Sequence, residues 1–424
     1  MHSAPPTSLG RHHEDRWLQV AASAIACLLV VYPFATWTNI VGNFSVVDAA
    51  LLGIFAWILT MPAAAPPLFR MARSGYGTLA MLLVLWLIFS AFFSPDMENS
   101  LLSTAQCAVN CLVLIPAACF CLLHLRDPEK FLTRFCIIYA ALYFVGFLLV
   151  KAGSSALLYD NGTQRYFPVW SEAAAYRQQV LIAGLAIGGY FLGTLTLGRT
   201  ALWLPAILLM QLGLSSRACV VGMATALAAA LLLTRQRIKV GSVVAALIVL
   251  CLASLVLLWI IGTAEKPEFL GVRINPRILT KGATDEGRVR AAEVALEGLK
   301  DTKTLLVGVG LHSRYRPHHV GAHNPVIQFA YEAGLVAGVL LLMLKLYPIV
   351  AFLGHSNRRV KMGLIIYISL FVFEMFSPFA VDRATRMYEG IALGLIWRGA
   401  WVPEPESAPE WQDASAPRPA PMPG

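Results

Sequence analysis

The stretch His323-Asn324-Pro325-Val326-Ile327-Gln328-Phe329-Ala330-Tyr331-Glu332-Ala333-Gly334 opens an apolar run. It follows a polar loop that holds His312, His318, His319 and several arginines. A neutral imidazole near pH 7 can take the proton of an attacking alcohol. Arginines beside it can hold an anion through charge-assisted hydrogen bonds. A proton acceptor next to cations at a bilayer edge suits work on a lipid-linked anionic substrate. A plainer reading covers part of the stretch: Asn324 is a good helix N-cap, and Pro325 suits a first helical turn. It leaves His323 unexplained, although a lone histidine at a helix mouth can also be simply solvated. His318 and His319 raise the question of a metal, but no carboxylate stands at ligand spacing from them, so none is expected.

The candidate cations are spread along the chain. Arg217 lies in Leu214-Ser215-Ser216-Arg217-Ala218-Cys219, between two apolar runs. A charge there is costly unless it snorkels to the interface or pairs, so an anchor and a ligand contact are both open. Asp285 to Leu299 reads as an amphipathic helix, with Val289, Ala292, Leu296 and Leu299 forming the apolar stripe. Lying along a membrane surface, it would hold Arg288 at headgroup level, with Arg290 nearby. Gly308-Val309-Gly310 then permits a tight turn. Arg165 and Arg177 flank an earlier loop near Asp160, Tyr166 and Trp170, and are weaker candidates.

The elements that must position these groups are apolar. Of 424 residues, 58% are hydrophobic and only 13% charged. Soluble domains carry about 25% charged residues, so composition points to a polytopic membrane protein. Twelve spans are expected, at about 17–37, 46–61, 77–94, 101–124, 132–152, 177–197, 200–214, 217–234, 240–262, 323–353, 362–379 and 384–400. Arg70 and Arg73, Arg126 and Lys130, Arg199, Arg235 and Arg237, and Arg358 and Arg359 follow alternate spans. These basic loops would face the cytoplasm, with both termini. The net charge of +9 is therefore mainly a topology signal. Residues 1–16 form a polar tail without a signal-peptide cleavage site, and 17–262 hold nine spans. Residues 263–322 form a large outer loop, with ten basic against seven acidic residues. This excess suits an anionic ligand, but also an ordinary solvated loop. Residues 323–402 carry three further spans, and the Pro-rich 403–424 is a disordered tail. The eight cysteines fall in or beside apolar runs without a zinc pattern, and read as small packing residues.

The segment from about Leu214 to Met343 resembles the O-antigen ligase and O-antigen polymerase superfamily. Four ordered pieces carry the likeness: Ser216-Arg217 at a helix start, Gly287-Arg288 before an amphipathic helix, Gly308-Val309-Gly310, and His323-Asn324 followed by Gln328, Glu332 and Gly334. Three positions depart from the pattern. Ala337 stands for a second glycine, Lys303 and Thr304 for a proline, and Ala291 and Ala292 for a tryptophan. The resemblance implies an all-α polytopic membrane protein of the GT-C-like class in the bacterial inner membrane, its active site facing the periplasm. It implies a metal-independent, inverting glycosyltransferase that uses no cofactor. The donor would be a glycan on undecaprenyl pyrophosphate. The acceptor would be a hydroxyl of lipid A-core for a ligase, or a growing glycan for a polymerase. His323 would be the general base, and Arg217 and Arg288 would hold the pyrophosphate. Arg165, Asn324, Glu332 and Arg290 would be secondary contacts.

Two other classes fit a multi-span chain. A transporter should show internal repeats or charges buried in mid-span, and no repeat is evident. A non-catalytic scaffold would tolerate loss of His323. Nothing in the sequence suggests nucleic-acid binding.

Overall fold

The computed structural model of the protein describes residues 8–33, 39–41, 44–151, 159–160, 165–166, 172–214, 217–234, 268–269, 272–273, 283–312, 324–376 and 383–402. These residues are overwhelmingly helical, with three antiparallel hairpins whose strands are only two or three residues long. The first helices are α1 (Ser8–Val31), α2 (Val46–Leu59), α3 (Ala65–Arg73), α4 (Gly75–Ala91) and α5 (Met97–Val109). Then come α6 (Ile115–His124), α7 (Pro128–Lys151), α8 (Glu172–Phe191), α9 (Leu197–Ala201), α10 (Leu204–Leu214) and α11 (Arg217–Thr234). The last are α12 (Ala283–Gly298), α13 (Thr302–Val307), α14 (Pro325–Ala333), α15 (Leu335–Phe352), α16 (Arg358–Glu374) and α17 (Arg383–Trp401). α1 begins inside the segment expected to be a polar tail.

The expectation of about twelve transmembrane helices is overturned. Among the described residues, two helical stretches are long and apolar enough to cross a membrane: Met97–His124 and Leu335–Phe352. A third is added only if α2 and the stretch Pro62–Arg73, bent by 97°, count as one broken span. The reason is continuity. A crossing needs roughly 20 apolar residues in one helix, and several of the expected spans hold helices that are shorter, divided or interrupted by charges. α2 has 14 residues and stops before Pro62; α4 and α16 have 17 each. The run 323–353 is split at Gly334, and α17 carries Arg383, Arg386, Glu389 and Arg398. The expected span 240–262 lies outside the described residues, as does the tail 403–424.

The helices that qualify are compatible with a membrane protein, and α15 shows how such a helix is built. It buries Ala337, Gly338, Leu341, Leu344, Lys345 and Pro348 at helical spacing. Its other faces expose Val336, Val339, Met343, Leu346 and Val350, the last at 77%. A broad apolar outer surface is unfavourable in water and suited to lipid. Inside, α6 is well enclosed, with Ile115 and every residue from Ala117 to Leu123 buried. It packs on α1 and α17, and α16 packs on α8, α11 and α17. The seven described cysteines are free thiols, buried except for Cys27, in keeping with a packing role.

Candidate functional site

Asn324 starts α14 as expected. Its Oδ1 accepts the backbone N–H groups of Val326 at 3.0 Å and Ile327 at 3.2 Å, with Pro325 in the first turn. The cap satisfies two of the donors that a helix start leaves open. Asn324 Nδ2 is 4.0 Å from Met375 Sδ, just beyond the end of α16. At that end the Phe373 ring meets Tyr176, centroids 6.3 Å apart, and the Arg177 guanidinium lies 5.5 Å over the same ring. Cys219, in the first turn of α11, places its Sγ 3.6 Å from the Tyr176 carbonyl oxygen. The first residue of α11 is Arg217. The starts of α8, α11 and α14 and the end of α16 therefore converge at one end of the helix bundle. The starts bring the positive ends of helix dipoles to one region, although the first-turn N–H groups of α14 are already taken by Asn324.

The Gly-x-Gly turn is bound to the other end of α14. Val309 N–H donates to the Tyr331 carbonyl at 3.2 Å, and Gly310 N–H to that of Glu332 at 2.7 Å. From α4, Ser90 Oγ donates to the Val307 carbonyl and Trp86 Nε1 to that of Ala333, at 2.6 and 2.8 Å. Gly308 (φ 73°, ψ −174°) and Gly334 (φ 88°, ψ 160°) occupy backbone regions that are essentially confined to glycine. A Cβ on Gly308 would lie 2.3 Å from the Glu332 carbonyl carbon. Gly308→Ala should therefore destabilise the fold by about 1–3 kcal/mol from backbone strain alone. Thermal unfolding in detergent measures it against Gly53→Ala, whose added methyl meets nothing within 4 Å. Equal melting of the two variants would remove the requirement for glycine.

The Glu332 carboxylate is buried and already engaged. Oε1 accepts from Gln328 Nε2 at 3.0 Å, and Oε2 accepts the backbone N–H of His312 at 3.1 Å. Glu332 thus positions the start of the loop leading to His323, with His312 held at φ 53°. Asp301 caps α13 just upstream, accepting from the Thr304 backbone N–H and hydroxyl, both at 2.9 Å. Those bonds, the backbone one foremost, hold its carboxyl below the usual range. A depressed carboxyl supports the fold above its unfolded pKa and loses that support as pH falls through the folded value.

α12 stands where the amphipathic helix was expected, but the expected apolar stripe is not its buried face. Leu296 is 51% exposed, while Ala295 is buried against Tyr331. Gly298 also abuts that ring, since an added Cβ would lie 2.4 Å from Tyr331 Cε2. Small residues let α12 approach α14 closely, so they rather than the larger leucine form the contact. Arg290 is exposed on α12. Arg217, Arg288 and Arg165 have described backbones only: Arg217 at the start of α11, Arg288 within α12, and Arg165 opposite Asp160 in a two-residue hairpin. His323, His318 and His319 lie outside the described residues.

A second polar group was not foreseen. Lys345 Nζ donates to Glu374 Oε2 at 2.7 Å and to Glu389 Oε2 at 2.8 Å. Arg386 Nη1 reaches Glu389 Oε2 at 2.7 Å, and the Tyr76 and Tyr367 hydroxyls reach Oε1 at 2.9 and 3.4 Å. All six side chains are buried. They come from four helices, α4, α15, α16 and α17, so apart from the i,i+3 pair Arg386–Glu389 no local motif announces them. The available signal was each charge standing within an apolar run.

No model of a known protein family matches the sequence, and no curated protein matches it.

Proposed function

We propose that the chain is a glycosyltransferase that moves a glycan from undecaprenyl pyrophosphate to a hydroxyl acceptor, as an O-antigen ligase does. The observation that supports it is the convergence of the resemblance's separate pieces. The Gly-x-Gly turn is hydrogen-bonded to Tyr331 and Glu332, α12 packs on Tyr331, and the starts of α11 and α14 meet around Tyr176, Phe373 and Met375. Segments more than 100 residues apart are thereby linked through the two ends of α14.

In this reading His323 removes the acceptor proton as the oxygen attacks the anomeric carbon. The bond from that carbon to the pyrophosphate oxygen breaks, and Arg217 and Arg288 neutralise the charge gathering on the leaving group. Attack opposite the leaving group inverts the anomeric centre. The reaction occurs at the periplasmic face of the bacterial inner membrane. Polymerisation, with a growing glycan as acceptor, uses the same chemistry.

Reconstitution with a purified undecaprenyl-pyrophosphate glycan, with and without lipid A-core, tests the reading. Transfer dependent on lipid A-core is the expected result; chain extension without it identifies a polymerase. Arg217→Ala and Arg288→Ala should each lower productive donor use by about tenfold or more, for loss of a charge-assisted phosphate contact. Lysine should rescue incompletely, because an ammonium lacks the planar fork of guanidinium. Wild-type transfer by both alanine variants would reduce these arginines to interfacial anchors.

One observation favours transport instead: charges are buried deep among the helices, at Lys345, Glu374, Arg386 and Glu389. They are two cations and two anions, mutually hydrogen-bonded, which suits a structural clamp better than a relay. Uptake by the same vesicles without glycan transfer would reverse the preference.

A further inference from the structure

The arginines of α3 are held differently from their basic neighbours. α3 turns away from α2 at the 97° bend, and its last turn carries Arg70 and Arg73. Met71 is buried between them, while Phe69 is 61% exposed. Arg70 lies 4.6 Å over the ring of Trp401, and Arg73 lies 5.8 Å from that of Phe69. Trp401 is stacked on Trp397, centroids 5.2 Å apart and planes within 6°. Nearby cations are engaged otherwise. Arg398, next to Trp397, donates to the carbonyls of Leu122, Leu123 and Leu125 at 2.6–2.8 Å. Arg359 pairs with Glu129 at 3.1 Å, and Lys130 with Asp127 at 2.8 Å. Among the described residues, no carboxylate pairs with Arg70 or Arg73. Each therefore presents guanidinium N–H donors on an aromatic platform.

Two cavities adjoin there. A recess of about 500 Å³ is lined by Arg70, Arg73, Tyr347 and Trp401, together with Phe69 and Trp397. A groove of about 310 Å³ shares Phe69 and Trp397 with it. The groove runs under the bend past Phe55, Leu59, Leu68 and Ala80, and its lining is almost wholly apolar. The recess wall is firmly set. Tyr347 Oη accepts the Gly75 N–H at 3.2 Å, and a Cβ on Gly75 would lie 2.3 Å from Tyr347 Cε2. A cationic, aromatic-rimmed recess adjoining an apolar groove across Phe69 and Trp397 matches one ligand class in chemistry. That class has a phosphate head and a hydrocarbon tail.

We propose that this paired cavity is a specific site for one anionic phospholipid. Its phosphate lies between Arg70 and Arg73 at the bilayer surface, and an acyl chain fills the groove beneath the α2–α3 bend. Two arginines meet the phosphate with directed hydrogen bonds. Trp401, partly exposed beside Arg70, is of the residue type enriched at the membrane–water interface. The site is independent of the histidine loop, and holds whichever reaction the chain performs.

Native mass spectrometry of the purified full-length chain tests this. It would be titrated separately with phosphatidylglycerol, phosphatidylcholine and soluble glycerophosphate. One phosphatidylglycerol should bind in preference to phosphatidylcholine, with no comparable binding of glycerophosphate. Arg70→Gln with Arg73→Gln should weaken phosphatidylglycerol binding by roughly tenfold or more, on the usual strength of basic side chains at anionic membranes. Both side chains are exposed, so folding should survive. Trp401→Leu should weaken binding as well, and Lys130→Gln should leave it unchanged. Equal binding of the two lipids, or unaltered phosphatidylglycerol binding in the double arginine variant, overturns the proposal. Glycerophosphate binding as tightly as the lipid would overturn the lipid assignment.

Discussion

In the proposed glycosyltransferase, His323→Ala should lower glycan transfer by roughly 10²–10⁴-fold, the usual worth of a positioned general base. The variant should insert and melt like the wild type, because the α14 start is held by Asn324 and Pro325. Donor binding should persist, since the proposed pyrophosphate contacts are Arg217 and Arg288. Asn324→Ala separates scaffold from chemistry. It removes an acceptor that serves two backbone N–H groups and should cost about 1 kcal/mol of stability. Its effect on transfer should be milder than that of His323→Ala. In the wild type, transfer should fall at acid pH as the imidazole gains the proton that prevents it from acting as a base. Single-turnover transfer by purified protein across a pH series measures both effects. Full turnover by His323→Ala with an unchanged pH profile would leave His323 structural and remove the proposed chemistry.

Lys345→Met should cost about 3–5 kcal/mol of stability, the penalty for breaking a buried ion pair from one side. It leaves Glu374 and Glu389 facing Arg386 alone, inside a region where side chains are nearly inaccessible. Glu389→Gln has the converse effect, with Lys345 and Arg386 facing only Glu374, and should cost a similar amount. The charge-balanced double variant Lys345→Met with Glu374→Gln keeps the Arg386–Glu389 pair, held at 2.7 Å. It should recover much of the loss. Thermal unfolding in detergent of the single and double variants gives the coupling between the two positions. Simple additivity would mean that the network is not the clamp joining α15, α16 and α17. The same variants address transport: normal stability with abolished uptake would make Lys345 part of a pathway.

Local features of this protein were written in its sequence because they depend on neighbours in the chain. Asn324 and Pro325 specify a helix start through backbone groups two and three residues away. Gly308, Gly310 and Gly334 mark positive-φ positions that other residues resist. The helix over Ala283–Gly298 followed from periodicity, but its inner face did not. That face was chosen by the Tyr331 ring, against which Ala295 and Gly298 fit and Leu296 does not. The count of spans failed for a related reason. Hydropathy averages over a run, whereas crossing a bilayer needs one unbroken helix, and Pro62, Gly334 and the charges of α17 divide or disqualify runs that average as apolar. Only the tertiary structure decided which separated residues share a site. It joined Lys345, Glu374, Arg386 and Glu389 with Tyr76 and Tyr367, paired Arg70 with Trp401, and brought Cys219 and Asn324 around Tyr176, Phe373 and Met375. Such contacts depend on helix packing across long loops, and no periodicity along a single segment encodes them.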